Sequence, residues 1–195
     1  MAQDDHNLAA ERGLSSFDRR HVVNLNYVLQ SPVGGRNAMF QNKPWLQKAL
    51  KDFTLSGGVI AQTGTPLTAR VLGNQADSGG TGSIGSGRAD ATGASVTSGS
   101  GFFNLAAFTL PPSGRFGNSG RNTIPGPGSV LLNMSLARSV NLAERKSMEI
   151  RLDANNLFNH VNISNLGTVV NSLTYGLPTS AGAMRTMTAT IRFRF

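Results

Sequence analysis

The last ten residues alternate between apolar and polar side chains with a period of two, and this alternation is the strongest structural constraint in the sequence. Met187, Ala189, Ile191, Phe193 and Phe195 share one face, and threonines and arginines occupy the other. A segment of about 9–11 residues with one apolar and one wet side is typical of a transmembrane β-strand. An amphipathic strand of a soluble sandwich, with its apolar face on a core, has the same pattern.

No stretch of the chain approaches the roughly 18 consecutive apolar residues of a membrane-spanning helix. Such a chain can meet a bilayer only as part of a closed barrel, because lipid offers no hydrogen-bond partner to an open sheet edge. The 23 glycines and 8 prolines among 195 residues fit a β-rich, loop-rich protein. Cysteine is absent, which excludes a disulfide framework and thiolate metal sites.

The chain carries a net charge of +8, from 18 basic and 10 acidic residues. An excess of positive charge of this size would suit a protein that binds nucleic acid. The basic residues are scattered, however, without a Lys/Arg run or a basic patch interleaved with aromatics. We therefore predict no nucleic-acid partner, and we expect the cations to face a barrel lumen or the phosphates of lipopolysaccharide.

The sequence does not indicate catalysis or metal binding. It contains no G-x-S-x-G elbow, and its three histidines lack close metal-ligand spacing. Glu149 and Asp153 share one strand face, which would suit an acid–base pair, but Arg151 lies between them. This arrangement favours a ladder of charges in a lumen. We predict no enzyme activity, no cofactor and no metal.

Five segments show the alternation expected of strands. The clearest is SMEIRLDANNLFN, in which Met148, Ile150 and Leu152 oppose Glu149 and Arg151. The polar faces carry charges and amides, which suits a wet lumen better than the surface of a sandwich. The predicted strands cover residues 20–30, 52–64, 129–142, 147–159 and the terminal segment after residue 182.

The connections between these strands alternate in length, as in bacterial barrels with short periplasmic turns and long extracellular loops. If Phe195 lies at the periplasmic end, the terminal strand runs inward. The extracellular segments are then 1–19, 65–128 and 160–182, and the periplasmic ones are 31–51 and the tight turn 143–146.

The connection 65–128 begins with a stretch dominated by Gly, Ser, Thr and Ala. Such a composition buries too little apolar surface to offset the entropy of ordering the chain, so we expect a flexible surface loop. Phe102, Phe103 and Phe108 follow this stretch. They either pack the loop onto a barrel mouth, which we favour, or line the path of a ligand.

Several sequence strings occur in a set order along the chain. They are FDRRHVVNLNYVLQSP from Phe17, QTGTP (62–66), GRNTIPGPG (120–128), NNLFNH (155–160) and the terminal Phe195. In order and spacing they resemble the C-terminal part of a TonB-dependent outer-membrane receptor. The resemblance is closest to the large family with an N-terminal carboxypeptidase-regulatory-like domain, sometimes called Oar-like, and it spans residues 17–195.

This resemblance implies an antiparallel barrel of about 22 strands around an N-terminal plug, energised through the TonB protein. The chain would supply about five C-terminal strands, with 1–19 as the remnant of an extracellular loop and 20–195 as barrel. The implied function is uptake of a scarce nutrient, such as a siderophore or an oligosaccharide. The opening MAQDDHNLAAERG is no signal peptide, so we expect a longer parent protein.

The implied location is the outer membrane of a Gram-negative-type bacterium. The implied partners are outer-membrane lipid and lipopolysaccharide, the barrel-assembly machinery, the rest of the barrel with its plug, TonB, and a small transported ligand. Ile191, Phe193 and Phe195 form an apolar row that resembles the C-terminal signal for barrel assembly. Tyr27 and Phe158 are candidates for an aromatic belt at the membrane interface.

Candidate contacts with a ligand or with lipopolysaccharide are Arg19, Arg20, Phe102 and Phe103. For the arginines, which lie beside Asp18 and His21, we favour a salt-bridged strand end. The alternative to the whole interpretation is a secreted, soluble β-sandwich that binds a ligand or glycan and packs its apolar faces together.

Overall fold

A computed structural model describes residues 2–4, 6–33, 42–73, 87–97 and 100–195 of the chain. The Cα positions divide it into two compact units. We call the first the sheet unit, which comprises Val23–Ala61, Val130–Val161 and Ala183–Phe195. We call the second the loop unit, which comprises Met1–Val22, Gln62–Ser129 and Asn162–Gly182.

Strands account for most of the regular structure. Their bounds are β1 Val22–Gln30, β2 Phe53–Gln62, β3 Asp90–Ala91, β4 Phe108–Thr109, β5 Ser129–Ala143, β6 Lys146–Asn155, β7 Ile163–Leu166, β8 Pro178–Ala181 and β9 Thr186–Arg194. The helical segments are α1 (Pro44–Leu50) and the 3₁₀ turns Leu8–Glu11 and Leu105–Ala107. Within the described ranges, none of these helices has the length and apolar character needed to cross a membrane.

The five long strands form one sheet in the order β1-β2-β5-β6-β9. β6 is antiparallel to both β5 and β9. The hydrogen bonds Thr63 N to His21 O (3.0 Å) and Ser31 N to Phe53 O (2.8 Å) fit antiparallel pairing of β1 with β2. The prediction of an all-β, antiparallel architecture is therefore confirmed. All five predicted strands are present, with ends shifted by a few residues.

The register keeps the predicted faces in phase from strand to strand. Ile150 pairs with Ile191, and Met148 pairs with Phe193, so apolar side chains stand opposite apolar ones. On the other face Glu149 pairs with Arg192. Because side chains alternate with a period of two, a slip of one residue would exchange the two faces. The alternation in each strand thus fixes the pairing of its neighbours.

Strand β6 ends four residues earlier than predicted, at a corner built around Asn156. This residue has a φ of +49°, a left-handed conformation that ends the strand. Its buried amide donates to His160 O (2.9 Å) and Ala183 O (3.1 Å) and accepts from His160 N (3.0 Å). The NNLFNH string therefore encodes a turn whose backbone groups a single amide satisfies.

The QTGTP and GRNTIPGPG strings lie against each other in the loop unit. A Cβ added to Gly64 would lie 2.1 Å from Gly126 O, and one added to Gly126 would lie 2.2 Å from Thr65 O. Just beyond, Leu67 and Ile124 exchange backbone hydrogen bonds of 2.8 and 2.9 Å. The glycines of the two strings allow a backbone approach that any side chain would prevent.

The loop unit has its own hydrophobic core, which corrects the expectation of a flexible loop for residues 87–97, the longest described part of the glycine-rich stretch 73–101. Within the glycine-rich stretch, Ala89 is fully buried, and β3 pairs with β4. Composition misled us because the apolar partners come from distant segments. Residues 74–86 and 98–99 lie outside the described part. The core consists of Ala69, Val71, Ala89, Phe103, Ala107, Phe108, Ile124 and Leu166.

The N-terminal residues belong to this packed unit. Arg88, only 4% exposed, places its Nη2 3.3 Å from Glu11 Oε1. Gln3 accepts a hydrogen bond from Arg88 N at 3.0 Å and donates to Gly117 O at 2.8 Å. A buried ion pair left without one partner is strongly destabilising, so these contacts hold residues 3–11 on the unit.

Helix α1 lies within the connection 31–51, where the sequence predicted only a long turn. Pro44 occupies the first turn, a position where its missing N–H costs nothing. The helix is followed by Lys51, whose N–H bonds Gln47 O at 2.9 Å, and Ser31 Oγ donates to Leu50 O at 2.6 Å. Residues 34–41 of this connection lie outside the described part.

Replacing Asn156 by Ala should lower the free energy of unfolding by about 2–4 kcal/mol, because it removes the side-chain hydrogen bonds to His160 and Ala183 and puts Ala in a left-handed conformation. The matched control is Asn155→Ala, which removes one exposed hydrogen bond of 3.3 Å to Thr186 and should cost about 1 kcal/mol or less. Urea unfolding of the protein in detergent micelles measures both. Equal costs would refute the corner role of Asn156.

Candidate functional site

The apolar face of the five-stranded sheet is exposed. Leu152 is 40% accessible, Ile150 43% and Leu25 58%. A soluble sandwich would bury these side chains against a second sheet. An exposed apolar face of this extent instead suits contact with lipid, where a barrel presents an apolar band.

The terminal row predicted from the sequence lies on this face. Ile191 and Phe193 pair with Ile150 and Met148, and they are 61% and 58% exposed. Phe195 follows the last strand and is 96% exposed. The three side chains are thus accessible to a partner; their role in barrel assembly stays a prediction.

The opposite face of β6 and β9 carries a ladder of charges, as the position of Arg151 predicted. Arg151 Nε donates to Asp153 Oδ1 at 2.8 Å within one strand. Arg192 Nη1 lies 3.8 Å from Glu149 Oε2 on the neighbouring strand. Each carboxylate has an adjacent cation, so the pair Glu149 and Asp153 is a poor acid–base candidate. The ladder gives this face the polarity of a water-filled lumen.

The two candidate belt aromatics have different surroundings. Phe158 lies in the turn after β6 and is 77% exposed. Tyr27 lies within β1 and is half-buried, and its ring covers Gly57, whose missing Cβ would lie 2.6 Å from the tyrosine hydroxyl. Tyr27 therefore fills the space above a glycine in the neighbouring strand, a packing role that the sequence did not predict.

Two exposed aromatics were missed in the sequence. Phe17 is 81% exposed just before β1, and Trp45 is 69% exposed on α1. Both belong to segments read from the sequence as connections. Their signal was the aromatic residue itself in an otherwise polar stretch, since rings of this size are usually covered in water-soluble proteins.

In the cationic cluster before β1, Arg19 bonds an amide side chain, and the ion pairs found among the described residues do not include the expected salt bridge. Arg19 Nη1 donates to Gln62 Oε1 at 2.9 Å, and Gln62 Nε2 donates to Ser129 Oγ at 2.9 Å. Thr63 Oγ1 accepts from His21 N at 3.2 Å. Arg19 and Arg20 are both exposed. Their guanidinium groups remain accessible to an anionic partner.

Phe102 and Phe103 point to different environments. Phe102 is 42% exposed, whereas Phe103 is 4% exposed and belongs to the core of the loop unit. The Phe103 ring makes edge-to-face contacts with Phe108 and Tyr175, at centroid distances of 6.5 and 5.6 Å. Phe103 therefore packs within the core of the loop unit, and the favoured packing onto a barrel mouth stays a prediction.

Tyr175 completes this aromatic cluster. Its hydroxyl donates to Leu105 O at 3.1 Å, and burial raises the pKa of its phenol above the ordinary value. In the described ranges, no three acidic or histidine side chains form a metal-binding cluster. The geometry of the loop unit thus supports packing, with Phe102 and the two arginines at its surface.

Comparison with known families identifies the class of protein that this arrangement defines. A family model described as "Outer membrane beta barrel domain" matches residues 1–188. The chain therefore belongs to the outer-membrane β-barrel domain family, and membership supports an outer-membrane location in a Gram-negative bacterium. Neither the search of curated proteins nor the search of solved structures found a match.

The assignment of faces predicts opposite outcomes for one added charge. Leu152→Arg puts a cation on the apolar face and should cost about 2–4 kcal/mol of folding free energy near the bilayer midplane. Thr188→Arg puts the same cation on the polar face, opposite Asp153, and should cost about 1 kcal/mol or less. Folding titrations in lipid vesicles measure both. A larger loss for the Thr188 variant would reverse the faces.

Proposed function

We propose that the chain is the C-terminal wall of a TonB-dependent receptor that takes up a scarce nutrient across the outer membrane. The observation that carries this finer proposal is the ordered set of motif strings. QTGTP begins at the last residue of β2, and GRNTIPGPG ends just before β5. NNLFNH begins at the last residue of β6. All three lie where long strands meet the long connections, and each has a close-packed or hydrogen-bonded turn as its physical basis.

The described sheet supports a larger barrel on physical grounds. In the described part of the chain, β1 and β9 are the edge strands of the sheet. An open edge cannot face hydrocarbon, because its N–H and C=O groups would have no partners. Further strands, from a longer parent protein, would pair with these edges and close the barrel around the proposed plug.

The lengths of the connections support an orientation with the long connections outside the cell. The connection from β5 to β6 is the two-residue turn Glu144–Arg145, whereas those from β2 to β5 and from β6 to β9 are long. Bacterial barrels place short turns in the periplasm and long loops outside. The exposed Arg19, Arg20 and Phe102 would then be available to a small ligand or to lipopolysaccharide.

The TonB dependence has a direct genetic test. Deleting the gene for this protein should slow growth on the scarce nutrient that it takes up, with wild-type TonB present. In cells without TonB the same deletion should add no further defect, because transport already lacks its energy source. Growth rates in media limited for one iron or carbon source at a time measure this, with gene replacement as the control. An additive defect would contradict TonB dependence.

Phe195 is proposed as part of the signal for the barrel-assembly machinery. Phe195→Asp should reduce the amount of protein in the outer membrane to a small fraction of wild type, because it puts a charge at the end of the apolar row. Phe195→Tyr should be mild. Synthesis and export should be unchanged in both. Quantitative blotting of outer-membrane fractions measures this, with Phe158→Asp as the control aromatic; equal abundance of the Phe195→Asp and wild-type proteins would refute the role.

A further inference from the structure

An apolar groove lies on the sheet unit beside helix α1. It has a volume of about 470 Å³, within the range of about 300–1,000 Å³ typical of ligand sites. One wall is the apolar face of the three strands β1, β2 and β5, and the other is Leu50 of α1 together with residues 31–33, which follow β1. The lining side chains include Leu29, Val33, Leu50, Phe53, Leu55 and Leu136.

A cation stands at the edge of this groove, on the face that otherwise carries apolar side chains. Arg138 pairs with Ile150, which in turn pairs with Ile191. Its guanidinium carbon lies 4.9 Å from the centroid of the Phe53 ring, a groove residue. An arginine on the lipid-facing side of a barrel is costly near the midplane and is tolerated near the headgroups. Arg138 contacts the first residue of β2, Phe53, and so lies beside the end of that strand.

Only some of the hydrogen-bond donors of Arg138 have an acceptor in the described part of the chain. Nη2 donates to Lys48 O at 2.6 Å, which supports the last turn of α1. Nε is shielded from solvent and has no hydrogen-bond partner in the described part of the chain. None of the ion pairs found among the described residues involves Arg138. A buried guanidinium nitrogen without an acceptor calls for an oxygen ligand.

Further positive charge surrounds this position. Lys48 and Lys51 lie on and just after α1, and both are exposed. Lys51 has a single, exposed carboxylate neighbour, Asp52, at 3.9 Å, an ion pair that contributes little. An apolar groove with cations at one edge is complementary to a molecule with a hydrocarbon chain and an anionic head.

We propose that this groove binds one phospholipid, with an acyl chain along the leucines and the phosphate on Arg138 and Lys48. The phosphate would accept hydrogen bonds from the partly exposed guanidinium of Arg138, because guanidinium and phosphate form strong charge-assisted hydrogen bonds. The lipid would join α1 to the sheet and position Trp45, exposed on the same helix, at the membrane interface.

The choice of phospholipid over lipopolysaccharide rests on the proposed function, since the orientation proposed there puts α1 in the periplasmic leaflet. The contact with lipid itself follows from membership of the outer-membrane β-barrel family and does not require the proposed uptake function. Binding in detergent does not depend on TonB or on orientation. A failed lipid experiment and a failed growth experiment would therefore be distinguishable.

The test uses a photoactivatable phosphatidylglycerol with a diazirine on one acyl chain, added to the folded protein in detergent micelles. After illumination and proteolysis, mass spectrometry should find adducts in peptides that contain Leu50, Leu55 or Leu136. Below saturation, Arg138→Gln should reduce this labelling about tenfold, as loss of one hydrogen bond to a charged group predicts. A diacylglycerol with the same acyl chains should label the wild-type protein about as weakly as phosphatidylglycerol labels the Arg138→Gln variant.

Four further variants, two of which are controls, keep the result independent of the stability of the Arg138→Gln variant. Leu136→Phe fills the groove and should reduce labelling while Arg138 is intact. Its matched control is Leu152→Phe, on the paired position of β6 and equally exposed at 40% against 38%, which should label as wild type. Arg138→Lys should retain part of the labelling, and Arg192→Gln, on the polar face, should have no effect.

Several outcomes would overturn the proposal. Absence of groove adducts in folded wild-type protein would mean that another segment or a second copy covers the site. Equal labelling by the diacylglycerol would show a purely apolar surface. Suppression of labelling by millimolar inorganic phosphate would identify a site for the free anion. Impermeant labelling on intact cells of Glu144→Cys rather than Leu173→Cys would place the lipid in the other leaflet.

Discussion

The rest of the sheet depends on one constraint: the register must keep two chemically opposite faces in phase across all five strands. A backbone that meets hydrocarbon has to satisfy its hydrogen bonds within the sheet, so neighbouring strands must pair along their length. Pairing alone does not set the register; the side chains do, since a slip of one residue would put Arg151 and Arg192 into lipid. The ladder formed by Glu149 and Arg192 and the apolar row formed by Ile150 and Ile191 are two consequences of that one register.

The two units differ in the interactions that stabilise them. In the sheet unit, apolar side chains such as Leu152 and Phe193 are exposed, as expected of strands that face hydrocarbon. In the loop unit, the side chains of Ile124 and Ala89 are fully buried, and polar residues such as Arg88 are paired inside. This is the division expected where strands contact lipid and connections contact water, and it follows from burial of each unit separately.

The sequence predicted the five long strands because alternation is a local property that each strand carries by itself. It predicted the polar ladder for the same reason, since Arg151 and Asp153 lie two residues apart. The loop core was missed because its contacts are non-local: Ala89 and Ile124 meet across a stretch whose composition suggests no core. Helix α1 was missed because it has seven residues, too few for a helical period to show. The buried position of Phe103 could not be predicted, because the sequence does not show which of the three phenylalanine rings is exposed.

The motifs that identify the family and the residues that would contact a ligand are therefore different sets. QTGTP, GRNTIPGPG and NNLFNH owe their residue types to backbone geometry: Gly64 and Gly126 to close approach, and Asn156 to a left-handed corner. Such positions constrain the turns of a barrel whatever it transports, so they carry family membership without carrying substrate identity. Under the proposed function, substrate choice would lie in exposed side chains of the loop unit, such as Arg20 and Phe102, where no backbone requirement dictates the residue. The proposed receptor could then change its ligand by surface substitution while the register of its strands stays the same.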